Sequence, residues 1–516
     1  MTSRKSMFCL SLSAMAAVTG FSLQAQEAKP QRPNIIVFLV DDMGWQDTSV
    51  PFWTETTPLN RKFHTPNMER LAASGMKFTQ AYAHPVCSPS RVSLMTGLNP
   101  ARHRVTNWTL NKDKNTDTAH PRLTLPAWNV NGICSEAGVP RTTQAKCLPQ
   151  CLRETGYRTI HVGKAHFGAE GTPGADPKNI GFDINIGGHA AGGPGSYLGE
   201  QGYSAAWRKG DRIWDVPGLA KYHGTGTFLT EALTIEGLKA VDQSRLEHKP
   251  FFLYMSHYAV HVPYAEDKRY YQKYIDAKLD KTEAMYAALV EGMDKSLGDI
   301  LDYLDKNQLA DNTVILFMSD NGGLSQHGRG GKPNTHNLPL SSGKGSAHEG
   351  GIREPMIVKW PGVVKPGLAC DAPLIIEDFF PTILELAGAK PVEGKIDGIS
   401  FVPTLKGEPS QAASRPFVWH MPNNWGPTGP GLGPFSSIRL GDWKYIFYHD
   451  PGRKERQELF NIREDIGETK NLAEANPEKV KELAAALKQK LKEADAQMPT
   501  DKKTGKVVEI FGESKN

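Results

Sequence analysis

The stretch Asn34-Ile-Ile-Val-Phe-Leu-Val-Asp-Asp42 predicts a β-strand that is buried on both faces and ends at two carboxylates. Three further runs rich in β-branched and aromatic residues have the same texture, at 158–162, 250–255 and 313–318. Before the last run, apolar residues recur every three or four positions, at Met285, Leu289, Met293, Leu297, Leu301 and Leu304. This alternation of buried strands with amphipathic helices predicts an α/β fold in which helices sandwich a mostly parallel sheet.

The pattern of predicted strands and helices divides the chain into a large and a small part. Residues 30–414 carry the alternation of strands and helices, which a Gly-rich stretch at about 168–226 interrupts; we expect a surface insertion near the active face there. A second loop-like stretch covers 421–433. Beyond residue 415, short strands at 417–420 and 443–448 and a charged helix follow. They predict a small C-terminal α+β subdomain over 415–516.

The first 25 residues have the order of a secretory signal peptide. Arg4 and Lys5 precede an apolar stretch at 7–23, and small residues follow around Ala25. Cys9 lies too early to end a lipoprotein-type signal. We therefore expect an exported protein, periplasmic or secreted, with no stable membrane insertion after cleavage. The alternative is a start helix that stays attached as an anchor.

The charge balance argues against a nucleic-acid partner. Lys and Arg number 60 against 56 Asp and Glu, a formal net charge of +4 that falls to +2 without Arg4 and Lys5. Proteins that bind nucleic acids usually carry a much larger basic excess. The composition is that of a globular protein with one large domain and a smaller appended one.

Four cysteines lie outside both the signal segment and the motif discussed below: Cys134, Cys147, Cys151 and Cys370. An even number in an oxidising compartment permits disulfides. The first three are closely spaced, but no histidine lies among them at the spacing of a zinc finger. A loop staple or free buried thiols are the two interpretations that remain.

Chemically reactive residues follow each predicted strand. Asp41 and Asp42 follow the first, 163–166 with Lys164 and His166 the second, 256–261 with two histidines the third, and Asp320 with Asn321 the fourth. Because open α/β sheets bind ligands beyond the carboxyl ends of their strands, we expect these groups to converge. Asp41, Asp42, Asp320 and Asn321 offer oxygen ligands that suit calcium or magnesium better than zinc. The alternative is a turn or helix cap at each position.

The segment Cys87-Ser-Pro-Ser-Arg91, continuing Val-Ser-Leu-Met-Thr-Gly97, is the most specific motif of the chain. Further motifs accompany it in order: Gly163-Lys-Ala-His-Phe-Gly168, His261-Val-Pro263, Asp320-Asn-Gly-Gly323, Gly343-Lys-Gly345 and Glu349-Gly-Gly-Ile-Arg353. Together they resemble the type I sulfatases, whose motif reads Cys-x-Pro-x-Arg. The resemblance extends from Pro33 to about Ala473, where 458–462 and 468–472 are similar to the family's closing motif.

The resemblance implies an alkaline phosphatase-like fold with a large mixed, mostly parallel sheet, and sulfuric ester hydrolase activity. In this family a sulfatase-maturating enzyme converts the cysteine to formylglycine (3-oxoalanine), whose hydrate is a geminal diol. Because Pro89 and Arg91 complete the motif, the resemblance implies the same conversion at Cys87. The alternative is a Cys87 that stays unmodified. Calcium is the family's usual ion, magnesium being the less expected one. The implied ligands are Asp41, Asp42, Cys87, Asp320 and Asn321.

The resemblance also implies a role for each polar residue. One diol oxygen, acidified by the metal and helped by Asp320, attacks sulfur and displaces the alcohol. His166 then takes a proton from the other hydroxyl, so that the aldehyde re-forms and sulfate leaves. Arg91, Lys164 and Lys344 are expected to stabilise the sulfuryl charge. The expected sulfate-binding residues are Lys164, His261 and Lys344, the last two also being candidates to protonate the leaving oxygen; His257 fits the motif less well.

Possible readers of the substrate are aromatic, amide and histidine side chains in loops: Asn107, Trp108, His189, His223, His327, His336, Asn424 and Trp425. Such groups suit sugar faces and hydroxyls, although each alone is more often structural. The export signal and the tryptophans favour a sulfated carbohydrate of a glycan, or an aryl sulfate, as substrate. Two alternatives remain open: a phosphonate or phosphate ester hydrolase of the same superfamily, and a non-catalytic protein that binds sulfated glycans.

Overall fold

In the computed structural model, which describes residues 1–2, 32–324, 336–410 and 414–511, nine strands form a central sheet. From edge to edge the order is Leu368–Cys370, Met76–Tyr82, Arg353–Lys359, Thr313–Ser319, Asn34–Val40, Phe251–Ser256, Arg158–Gly163 and Ile184–Ile186, with Leu374–Ile375 also paired to Met76–Tyr82. The strand Arg353–Lys359 runs antiparallel to both neighbours, and the other pairings are parallel. The predicted mixed, mostly parallel sheet is confirmed.

The strand Asn34–Val40 shows why its sequence is apolar throughout. Ile36, Phe38 and Val40 belong to the hydrophobic core on one face of the sheet. Their alternating neighbours Ile35, Val37 and Leu39 belong to the core on the other face. Since side chains point alternately to the two faces of a strand, a central strand covered on both sides needs an apolar residue at every position.

Helices cover both faces of the sheet. The core on one face contains residues of the long helices Leu229–Leu246 and Lys281–Lys306, and the other core contains residues of Cys87–Thr96, Leu148–Glu154 and Phe379–Leu386. The remaining helices are Pro58–Lys62, Pro66–Ser74, Pro100–His103, Tyr271–Asp276, Glu349–Ile352, Val402–Leu405 and Pro477–Glu493. The helix predicted from the Met285 to Leu304 pattern is confirmed as Lys281–Lys306.

A second, antiparallel sheet lies near the carboxyl end of the chain. Its strands, in order, are Phe417–Met421, Phe435–Leu440, Trp443–Tyr448 and Gln457–Asn461. One face packs on the helix Pro477–Glu493 through Leu483 and Leu487. On the other face Trp419 packs near Tyr82, and its indole N–H donates to the carbonyl of Ala83 at 2.9 Å. The predicted antiparallel sheet and helix are therefore present, while the domain boundary at 415 stays a prediction.

Two short pairs complete the strands, Leu123–Thr124 with Thr500–Asp501 and Ile133–Cys134 with Thr143–Gln144. The stretch expected as a surface insertion supplies the edge strand Ile184–Ile186 to the central sheet, and the rest of it is loops with 3-10 turns. Cys134, Cys147, Cys151 and Cys370 are free thiols. The signal segment lies outside the described residues. Over the described part of the chain, we find no helix with the length and hydrophobicity to cross a bilayer.

Candidate active site

The carboxyl ends of three parallel strands of the central sheet build the centre of the site. Asp41 and Asp42 follow the strand Asn34–Val40, and Asp320 follows Thr313–Ser319 beside it. Lys164 follows Arg158–Gly163, where Gly163 has a φ of +90° and a Cβ would lie 2.0 Å from the carbonyl oxygen of Ser256. Only glycine permits that turn, so it directs Lys164 into the site.

The acidic side chains form a cluster with the motif cysteine. Ligand atoms of Asp41, Asp42, Cys87 and Asp320 all lie within 4.8 Å of one another, and all four residues are buried. Two buried oxygens beside them, Asp42 Oδ2 and Asn321 Oδ1, have no hydrogen-bond partner among the described residues. Buried oxygens without partners cost free energy that a bound cation recovers. The donor set fits a hard divalent cation, in which case Cys87 would contribute best through an oxygen, since its sulfur is a soft ligand.

Three cationic side chains hold the carboxylates. Lys164 Nζ donates to Asp41 Oδ2 at 2.7 Å, and Lys344 Nζ donates to Asp42 Oδ1 at 2.6 Å. Arg91 Nε donates to Asp320 Oδ2 at 2.8 Å. With every carboxylate ionised, the three negative and three positive charges cancel. A divalent cation bound here would therefore leave the site positive overall, as an anion-binding site requires.

Burial and these charges perturb the acidities. Burial raises the pKa of Asp41 despite Lys164 beside it. For Asp42, burial acts in the same direction, but Lys344 and His261 outweigh it and lower the pKa. Burial raises the pKa of the Cys87 thiol to about 11, against the pull of the lysines. An unmodified Cys87 is thus a neutral thiol at physiological pH, which is a poor nucleophile.

Cys87 and Arg91 share a face of one helix. Cys87 is the first residue of Cys87–Thr96, and its Sγ lies 3.7 Å from Asp41 Oδ1. The spacing of four residues places Arg91 one turn further along the same face. Its guanidinium donates to the Ser256 hydroxyl at 2.6 Å and to the Lys164 carbonyl at 3.1 Å. Cys87 therefore lies at a helix N-terminus, where negative charge is favoured. Arg91, one turn further along, fixes this helix to the ends of two strands through Ser256 and Lys164.

Two histidines complete the site. His166 Nε2 lies 2.8 Å from the carbonyl oxygen of Thr109, so it carries the proton and leaves the Nδ1 lone pair without a partner among the described residues. Burial lowers the pKa of His166 well below its usual range. His261 Nδ1 lies 2.7 Å from the carbonyl oxygen of Val262, and its Nε2 lies 3.8 Å from Asp42 Oδ2. Both Asp42 and His166 have left-handed backbones, with φ of 61° and 55°, an arrangement often found at functional sites.

A cavity of about 160 Å³ opens above the cluster. It is lined by Val86, Cys87, Trp108, His166, Gly192, Trp214, His261, Lys344 and Trp425. Arg91 and Lys164 do not line it, because they are fully buried behind the carboxylates that they bind. Of the three cations expected to face a sulfuryl group, the structure places only Lys344 on the cavity. The walls are aromatic, and the floor is polar.

The Gly-rich insertion closes one side of this cavity. A Cβ on Gly192 would lie 2.3 Å from Cε1 and 2.6 Å from Nδ1 of His166. A Cβ on the next residue, Gly193, would lie 2.9 Å from Nδ1 of His261. Real Cβ contacts essentially never fall below 3.0 Å, so each histidine packs directly on a glycine backbone. The glycine pair therefore sets the position of both rings.

Of the predicted substrate readers, Trp108 and Trp425 line the cavity. The others lie elsewhere or make structural contacts. Asn107 donates to Asp117 at 2.8 Å, His189 lies 2.8 Å from the Tyr258 hydroxyl, His223 packs against Tyr203, and the buried His336 lies between Asp47 and Glu283, while the backbone carbonyl of Asn424 accepts from Thr118. His327 lies outside the described residues. His257 is buried against the Ser296 hydroxyl at 2.8 Å, whereas His261 reaches the cavity.

Sequence reasoning missed several residues of the site. Trp214 lines the cavity from the insertion, where only its being a tryptophan in a loop could have drawn attention to it. Ser256 supports Arg91, and it stood in the sequence at a strand end. Glu354 is fully buried near Asp320 and Asp42 with neither carboxyl oxygen bonded by a described residue, and burial raises its pKa well above the usual range. A buried carboxyl group without a bonding partner has no signature in the sequence.

The C-terminal sheet supports the loop that carries Lys344. Lys444, fully buried on the strand Trp443–Tyr448, lies 3.0 Å from Glu349 Oε1 and 2.8 Å from Glu468 Oε1. A Glu468 oxygen also accepts from the backbone N–H of Glu349 at 2.6 Å. Glu349 and Glu468 both belong to motifs noted in the sequence. These contacts tie the end of the segment 343–349 to the second sheet.

Comparison with known proteins places this geometry in context. The family profile described as Sulfatase matches residues 33–389, and a profile for the C-terminal part of N-sulphoglucosamine sulphohydrolase matches 343–497. N-acetylgalactosamine-6-sulfatase of Mus musculus is 33% identical over 407 residues, covering 76% of this chain and 70% of that protein. A sulfatase of Formosa agariphila is 28% identical and covers 91% of this chain and 90% of its own length.

Among solved structures, Ps i-CgsB in complex with k-i-k-neocarrahexaose is similar with a TM-score of 0.70 and 28% identity. The similarity covers 89% of this chain and 93% of that one.

Proposed function

Because the chain belongs to the sulfatase family, whose members hydrolyse sulfuric esters, we propose that it removes sulfate from O-sulfated sugars with a nucleophile derived from Cys87 beside a bound calcium ion. The observation that carries this proposal is the position of Cys87. Its sulfur lies on the floor of the aromatic cavity and within 4.8 Å of ligand atoms of Asp41, Asp42 and Asp320. Cys87 thus belongs both to the acidic cluster that could hold a cation and to the lining of the cavity that could hold the sulfate group.

Asp41, Asp42, Asp320 and Asn321 would hold the cation. Calcium is favoured over zinc because the set offers oxygens only. When bound, the ion would supply positive charge that polarises the sulfate ester, and a formylglycine at position 87 would supply a hydroxyl in place of an unreactive thiol.

The chain's own residues supply orientation, charge and proton transfer. Lys344, protonated because Asp42 raises its pKa against the effect of burial, presents an ammonium group to the sulfate oxygens. Arg91 and Lys164 donate to Asp320 and Asp41 and hold these carboxylates in place below the cavity. His166 receives a proton at Nδ1, since its Nε2–H is committed to Thr109. His261 lines the cavity next to Gly193, and its proposed role is to contact the leaving oxygen.

The cavity supports a sugar as the alcohol part of the ester. Trp108, Trp214 and Trp425 offer flat apolar faces of the kind that stack on sugar rings. Relatives at about one-third identity are named N-acetylgalactosamine-6-sulfatase. A 6-O-sulfated N-acetylgalactosamine is therefore the first sugar to test. We propose export from the cytoplasm and maturation of Cys87 by a sulfatase-maturating enzyme as parts of the same hypothesis.

The test compares matched esters. Protein co-produced with a maturating enzyme and supplied with calcium should hydrolyse 4-nitrophenyl sulfate at least a hundredfold faster than 4-nitrophenyl phosphate, and it should release sulfate from N-acetylgalactosamine 6-sulfate. The Cys87→Ala protein is the matched control and should be inactive on all three. A faster reaction with the phosphate would point to a phosphate ester hydrolase. Tight binding of the sulfated sugar with no turnover by matured protein would point to a non-catalytic binding protein.

A further inference from the structure

An exposed tryptophan, Trp207, lies on the same loop as Trp214, which lines the cavity. Trp207 is 52% exposed, the most exposed tryptophan of the described chain. Its indole N–H donates to the carbonyl of Gly195 at 2.9 Å, which fixes the ring in one orientation. A Cβ on Gly195 would lie 2.3 Å from the Ala205 nitrogen, so the two segments are in close contact. The hydrogen bond to Gly195 holds the exposed ring in place, so it could offer a flat apolar face to a ligand without first having to be ordered.

The loop connects this ring directly to the cavity. Asp215 accepts a hydrogen bond from the backbone N–H of Ala205 at 2.8 Å and so closes residues 205–215 into one folded unit. Trp214, next to Asp215, lines the cavity. On the other side, Gly195 follows Gly193 by two residues, which span at most about 7 Å. Trp207 is therefore bonded to a segment that, two residues earlier at Gly193, packs on His261.

Two cationic residues follow Trp207 directly in the chain. Arg208 and Lys209 are exposed and form no ion pair with any described residue. The acidic residues of the same loop are already engaged: Asp211 accepts from the backbone of Ile213, and Asp215 binds Arg212 as well as Ala205. An aromatic face beside two unpaired positive charges is complementary to a sugar ring that carries an anionic group.

The size of the cavity requires an outer surface if the substrate is a chain. Its volume of about 160 Å³ is below the roughly 300–1,000 Å³ of pockets that enclose a drug-sized ligand, so it is too small to enclose an oligosaccharide. Building on the proposed function, we infer that Trp207, Arg208 and Lys209 form an outer subsite for the neighbouring anionic sugar of a sulfated glycan. The enzyme then prefers oligosaccharides to monosaccharides.

The test measures binding without turnover. The ligands are N-acetylgalactosamine 6-sulfate and a tetrasaccharide from chondroitin 6-sulfate with that sugar at its end, titrated by calorimetry into the calcium-loaded Cys87→Ala protein. We expect the tetrasaccharide to bind at least tenfold more tightly. Trp207→Ala should weaken tetrasaccharide binding about tenfold and leave the monosaccharide unchanged. Trp207→Phe should restore most of the loss, because it retains an aromatic face.

The cations are tested by salt. The double variant Arg208→Ala/Lys209→Ala should flatten the dependence of tetrasaccharide affinity on salt concentration. Lys481→Ala/Lys488→Ala removes the same charge from the exposed face of the helix Pro477–Glu493 and should leave it unchanged. Equal affinities for the two sugars, or a Trp207→Ala protein with wild-type affinity for the tetrasaccharide, would overturn the inference. Absence of 4-nitrophenyl sulfate hydrolysis by the matured wild type would instead overturn the proposed function.

Discussion

The substitution Gly192→Ala should damage catalysis far more than its size suggests. The added Cβ would lie 2.3 Å from His166 Cε1, whereas ordinary contacts begin at 3.4 Å, so something must move by about 1 Å. The His166 ring is buried and its Nε2 is fixed on the Thr109 carbonyl, so moving the ring breaks that hydrogen bond. A misplacement of about 1 Å can reduce a rate about a hundredfold, which corresponds to ~2.7 kcal/mol.

The assay is kcat for 4-nitrophenyl sulfate on matured, calcium-loaded protein, with the melting temperature measured alongside. Two glycines of the same insertion are controls. Gly226→Ala meets no atom within 4 Å and should retain wild-type kcat, while Gly193→Ala comes within 2.9 Å of His261 Nδ1 and should have a smaller effect than Gly192→Ala. A wild-type kcat for Gly192→Ala, or an equal loss for Gly226→Ala, would refute the assignment of His166 as the proton acceptor.

Three further predictions concern the metal, the pH profile and the second sheet. Asp320→Asn should weaken calcium binding at least about tenfold in calorimetry after chelation, since it removes one ionised ligand; an unchanged Kd would contradict the site. Because burial lowers the pKa of His166, its Nδ1 stays unprotonated as pH falls from 8 to 6, so kcat should show no inflection at the ordinary histidine pKa of about 6.5; an inflection there that Gln in place of His166 abolishes would contradict the lowered pKa. Lys444→Met should lower the free energy of unfolding in urea by ~3–5 kcal/mol, because it leaves Glu349 and Glu468 buried without their shared cation; a loss below ~1 kcal/mol would show that this contact adds little.

The local pattern of apolar residues was sufficient to predict the strands at the centre of the sheet. The run at 34–40 predicts its strand to the residue, because a strand covered on both faces is apolar at every position. The ends of these strands carry Asp41, Asp42, Lys164 and Asp320, which the parallel sheet brings together. The antiparallel strand Arg353–Lys359 and the edge strand Ile184–Ile186 were not predicted. Their pairing depends on contacts across the chain and not on local periodicity.

The aromatic walls and the supporting contacts were harder to predict. Trp108 and Trp425 were selected together with five other described residues that do not line the cavity, because a loop residue shows no periodic pattern that reveals its direction. Trp214 was missed for the same reason. The Gly-rich stretch at about 168–226 was predicted as a surface insertion, but the sequence did not reveal that Gly192 and Gly193 within it pack closely on the two histidines. Such close approaches become visible only in three dimensions.

The chemical state of residue 87 tests the central claim most directly. Mass spectrometry of the peptide that contains Cys87, in protein purified from its native host, should find the mass of an aldehyde or of its hydrate in place of the thiol. The buried thiol is neutral at physiological pH, so the proposed reaction needs that conversion. A peptide with the thiol intact, in protein that nevertheless hydrolyses sulfate esters, would contradict the account.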